Sequence, residues 1–88
     1  MSLVYLLREA GVDIVVTVHG TIRSYVQVDE EPIRLAVAEG STVGDVVERL
    51  GIPLERGWNA GIGGKLVSAS DVLHDGDQLS VFDVIGGG

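Results

Sequence analysis

Gly86, Gly87 and Gly88 close the sequence in the run VFDVIGGG. Glycine holds a backbone position less firmly than any other residue, so such a run adds nothing to a core. What it offers is access. Two or three glycines make a thread thin enough to enter a channel where any side chain would clash. The terminal carboxylate of Gly88 is unbranched and sterically open. The chemistry such a thread permits is activation of that carboxylate as an acyl adenylate, followed by transfer to sulfur or to an amine. This needs an ATP-using partner, because no motif in the chain binds nucleotide. The alternative is a passive end.

Other groups capable of chemistry are sparse. His19 and His74 are the only histidines, no cysteine accompanies them, and their positions lack metal-ligand spacing, so no metal site is expected. The glycine-rich GIGGK, Gly61 to Lys65, fails as a phosphate loop. That motif needs Gly where Asn59 stands and Ser or Thr where Leu66 stands. A hairpin is the better reading. Ser41, Ser68 and Ser70 have no His-centred pattern, which leaves nucleophilic catalysis without support. Phe82 lies just before the tail, on the less apolar face of the last strand, with Val84 and Ile85 beyond it. An aromatic at a strand end is a candidate partner anchor, unless the first residues of the chain cover it. Trp58 is more simply a core or rim residue.

Composition narrows the classes further. At 88 residues there is room for one core and none for an enclosed active site with supporting shells. The hydrophobic share of 45% and charged share of 22% are those of a globular chain. The formal charge of −7, from 13 acidic and 6 basic residues, disfavours nucleic acid and anionic membrane surfaces and favours partners with a basic face. Without cysteine there is no disulfide or thiolate chemistry, which fits a reducing compartment, so a cytoplasmic location is expected. No apolar run approaches the ~20 residues that span a bilayer. The start, MSLVYLLREAGV, lacks the pattern of a cleaved leader.

These features require a scaffold, and the apolar periodicity supplies one. In DIVVTVHG, Ile14, Val16 and Val18 alternate with Val15, Thr17 and His19, predicting a strand over 13–20. PIRLAVAE alternates likewise through Ile33, Leu35 and Val37, and the polar connection between the two predicts an antiparallel pair. The best helix follows. Thr42 with Asp45 forms a capping-box pair, and Val43, Val46, Val47 and Leu50 make one apolar stripe over roughly ten residues. Gly51 and Pro53 stop it. Short strands surround Gly63 and Gly64, a single helical turn is expected at Ser70 to Leu73, and HDGD is a tight turn before the last strand, QLSVFDV. A helix on one face of a mixed sheet is an α+β layer solution. The dense apolar faces of the first and last strands place them side by side in the middle, so that the tail projects from the centre of the sheet. The expected organisation is an extension over 1–12 (a short helix, or in part a cloning remnant), a domain over 13–85 and a glycine tail over 86–88.

Taken together, VTVHGTIRSYV, TVGDVVERLGIP and LHDGDQLSVFDVIGGG resemble the MoaD/ThiS-type sulfur carrier proteins, over about Asp13 to Gly88. The most specific element is L-x-D-G-D, a short apolar strand and a Gly-Gly terminus at the right distance. The resemblance implies a ubiquitin-like β-grasp fold and a protein co-substrate rather than an enzyme. It implies no bound cofactor, with ATP used by an E1-like adenylating enzyme that activates Gly88. The product would be a thiocarboxylate that donates sulfur, with Gly87 completing the Gly-Gly motif and Gly86 lengthening the thread. Phe82 matches the position where molybdopterin-type members carry an aromatic beside the tail, so Phe82, Val84, Ile85 and Gly86 are the implied partner contacts. The sulfur acceptor would be an enzyme such as the molybdopterin synthase large subunit. HGTIR is closer to the molybdopterin type than to the thiamine type, although Asp83 and Val84 stand where molybdopterin-type members often have prolines. The competing reading is an interaction module whose tail is never activated.

Overall fold

The alternating apolar residues become buried strands in the computed structural model, which describes residues 11–84. Strand β1, Gly11–Val18, buries Val12, Ile14, Val16 and Val18 on one face. It begins two residues earlier than the alternation suggested and ends before His19. Strand β2, Ile33–Ala38, pairs with it antiparallel, with Ile33 and Val37 buried and Leu35 packed at the margin of the core. Strands β3, Asn59–Ile62, and β4, Lys65–Val67, form the expected hairpin. Its two-residue turn uses Gly63 at φ 58° and Gly64 at φ 83°, a left-handed pair that side chains would strain. Strand β5, Gln78–Phe82, lies between β1 and β3, parallel to the first and antiparallel to the second. Among the described residues the sheet order is β2-β1-β5-β3-β4. The first and last strands are thus neighbours within the sheet, as their apolar faces predicted.

The helix α1 spans Val43–Arg49, shorter than the stripe suggested because Leu50 already serves as its C-cap. Its capping box is present in full: Thr42 Oγ1 accepts from the Asp45 N–H, and the Asp45 carboxylate accepts from the Thr42 N–H. Val43, Val46, Val47 and Leu50 are buried and join the strand residues, Ile22, Ile52 and Leu73 in one apolar cluster. Full burial of each such side chain contributes about 1.5–3 kcal/mol.

Two connections differ from expectation. The polar stretch after β1 contains a 3-10 helix, Thr21–Tyr25, which the alternation did not reveal, and Ile22 fills the core from it. The helical turn expected at Ser70 to Leu73 is absent. Ser68 to Asp71 instead form a turn, and Val72 makes an antiparallel bridge to Thr42. The reason lies in where the backbone groups go. The Leu73 N–H donates to Ser41 O at 2.8 Å, and Asp71 O accepts from the Val43 N–H at 2.9 Å. The Asp71 carboxylate accepts from the Ser68 N–H at 2.7 Å. Those partners leave nothing for a helical ladder.

Candidate functional site

β5 and β1 run parallel and finish at the same end of the sheet. Val18 and Val81 are register partners, and the next N–H along β1, that of His19, donates to Val81 O at 2.8 Å. Phe82, the last residue of β5, faces away from the core, lies opposite Asn59 and is half-buried. Val84 follows, 54% exposed, with a methyl at ordinary contact distance from where a Cβ at Gly57 would stand. Trp58 packs partly buried against the core. Ile85, Gly86, Gly87 and Gly88, named above for partner contact and activation, lie outside the described residues, as do residues 1–10 of the expected extension.

Between Phe82 and Val84 stands a residue that the sequence marked only as a departure from the prolines of related tails. The Asp83 carboxylate accepts from the Thr21 N–H at 2.7 Å and the Ile22 N–H at 3.2 Å, and from Thr21 Oγ1 at 3.1 Å. Arg56, from the 3-10 turn Leu54–Arg56, donates to it at 3.4 Å and to Thr21 Oγ1 at 2.8 Å. Three segments far apart in the chain therefore meet on one carboxylate. The Thr21 backbone N–H above all, with the Thr21 hydroxyl, the Ile22 N–H and the Arg56 guanidinium, holds Asp83 below the usual carboxylate range, against a smaller opposing effect of desolvation. A signal existed. Gly20, which precedes the Thr21–Tyr25 3-10 helix, has no side chain to cap it, so the first N–H groups needed an acceptor from elsewhere. Gly20 is also needed for fit. It sits at φ 80°, and a Cβ there would overlap the Asp83 carboxylate.

The geometry is that of a strand end whose last carboxylate is shared with Thr21, Ile22 and Arg56. The family model described as "ThiS family" matches residues 16–88, from the middle of β1 through the last glycine. The chain belongs to the ThiS family.

No curated protein matches this ThiS-family chain. Solved structures share its fold. The H. volcanii small archaeal modifier protein 1 superposes with a TM-score of 0.66 at 17% identity, over 85% of this chain and 100% of that one. A structure of SAMP1 from Haloferax volcanii gives 0.61 at 18% identity, over 86% and 99%. The Caldiarchaeum subterraneum ubiquitin gives 0.56 at 18% identity, over 89% and 99%. The fold is therefore the ubiquitin-like β-grasp, an α+β arrangement of a mixed sheet with one helix. The family match and the shared fold place the chain among sulfur-carrier and ubiquitin-like proteins. ThiS-type carriers in general work with E1-like activating enzymes and sulfur-accepting partners. Among the described residues of this ThiS-family chain, no helix is long and apolar enough to cross a membrane.

Proposed function

We propose that this chain is a sulfur carrier whose working group is the Gly88 carboxylate. An E1-like enzyme adenylates it: a carboxylate oxygen attacks the α-phosphorus of ATP and pyrophosphate leaves. A sulfide equivalent then displaces AMP at the acyl carbon, giving a thiocarboxylate. Gly87 and Gly86 form the thread that reaches the partner's active site, and Phe82, Val84 and Ile85 contact the partner at its mouth. The carrier binds no cofactor, and ATP belongs to the activating enzyme. The acceptor is an enzyme of the molybdopterin synthase large-subunit type.

The observation that carries this reading is the family match, which runs unbroken from β1 through Gly88. The position of β5 between β1 and β3 supports it, because the strand that leads into the tail is held on both sides. The test is intact mass after incubation with ATP, a sulfide source and a cognate E1-like enzyme. The expected result is replacement of one oxygen by sulfur, lost when Gly88 is deleted, with docking to the enzyme retained. An unchanged mass, with an activating enzyme proven on another carrier, overturns it. The fold shared with small archaeal modifier protein 1 favours a second reading, transfer of the activated carboxyl to lysines. That reading would show as a ladder of protein conjugates in place of the free thiocarboxylate.

A further inference from the structure

The brace at Asp83 lies where β5 no longer needs one. The strand is already held on both sides by its ladders, to Val18 through Val81 and to Asn59 through Phe82. Its register is fixed before Asp83 is reached, and Leu79 and Val81 are buried beneath it. Hydrogen bonds to Asp83 act instead on the chain beyond the ladder. Five residues, Val84 to Gly88, follow it. At most ~3.3–3.6 Å per residue, they keep the terminal residue within about 18 Å of Asp83. Asp83 and Val84 are the last described residues, so the direction of the chain at Asp83 is the starting direction of all five.

Deepening the sulfur-carrier reading and resting on it, we propose that Asp83 is a positioning residue for tail activation. Its carboxylate, tied to Thr21, Ile22 and Arg56, fixes the direction in which the tail leaves the domain. The glycine thread is then aimed before the activating enzyme is met. Gly20 is the second half of the device, because only a residue without Cβ admits the carboxylate so close to the Thr21 N–H. The globular surface makes the docking contact. Asp83 raises the fraction of docked carriers whose Gly88 reaches the reacting phosphate. Positioning of this kind acts on turnover more than on docking affinity.

The experiment compares the full chain as wild type, Asp83→Asn and Gly20→Ala, each first shown to be folded by circular dichroism. Asn keeps the volume and one acceptor oxygen but turns an N–H2 toward donors, while Ala at position 20 presses on the carboxylate from the other side. In the wild type, residual dipolar couplings of the Val84 amide are expected to agree with one fixed orientation relative to β5. In both variants they shrink toward averaged values. With an E1-like enzyme and ATP, pyrophosphate release is expected to show kcat lowered about tenfold. The Kd for docking stays within about twofold. Val84 couplings unchanged in both variants overturn the proposal. So does a wild-type kcat despite averaged couplings, or a loss of docking in step with kcat. If the wild-type chain is not adenylated by an enzyme active on its own carrier, the sulfur-carrier reading fails. The Val84 couplings then decide separately whether Asp83 fixes the exit.

Discussion

Asp83 carries the most specific chemistry among the described residues, and its charge is the property to test. Its pKa lies below the usual 3.8, so the folded protein favours the carboxylate more than the unfolded chain does. The sign follows from linkage. The stabilisation is fully present above the unfolded value and is lost as pH falls through the lower, folded value. Unfolding by urea should therefore show Asp83→Asn less stable than wild type at neutral pH. That difference should begin to close only below about pH 4 and vanish in stronger acid. A difference of constant size across that range would mean that the charge is irrelevant. Little of this was legible in the sequence. Asp83 stood out only as a departure from the prolines of related tails. Its partners Thr21 and Arg56 come from positions 62 and 27 residues away, and no local pattern marks such a convergence.

At the scale of elements, the helix was the most legible feature, because a capping box and an apolar stripe are local signals that reinforce one another. Removing the cap in Thr42→Ala should cost about 0.5–2 kcal/mol in chemical denaturation, without changing the fold. A loss well above that range would indicate that the Thr42 bridge to Val72 also depends on the side chain. The hairpin at Gly63 and Gly64 was legible for a similar reason: two successive glycines between apolar runs demand a tight turn. The segment from Ser70 to Leu73 was misread as helical because its residue types suit a helical turn. Its backbone is claimed by Ser41 and Val43, which the local sequence does not announce. The Thr21–Tyr25 3-10 helix was missed because only Ile22 of its five residues is buried, and one buried residue makes no period.

At the scale of the molecule, β5 is the keystone. It joins the β1–β2 pair to the β3–β4 pair, so weakening it should affect the whole sheet at once. Leu79→Ala removes a side chain that is 1% exposed and should cost about 2–5 kcal/mol. Against a total of about 5–15 kcal/mol for a native domain, that loss should appear as a large fall in the urea midpoint, with a single cooperative transition. Two separated transitions would mean that the halves of the sheet fold independently.

The amino-acid order alone was enough to specify the strands, the helix with its cap, the hairpin and the adjacency of the first and last strands. Each of these is written in the spacing of apolar residues or in a backbone requirement of one or two neighbours. The family resemblance was legible for the same reason, since its motifs are contiguous runs. The brace on the tail's root was not. Gly20, Thr21, Arg56 and Asp83 acquire a common role only after β5 has inserted between β1 and β3 and brought the ends of distant segments together. A hydrogen bond depends on where atoms end up in space, and for contacts between distant parts of a chain that is decided by the packing of the sheet.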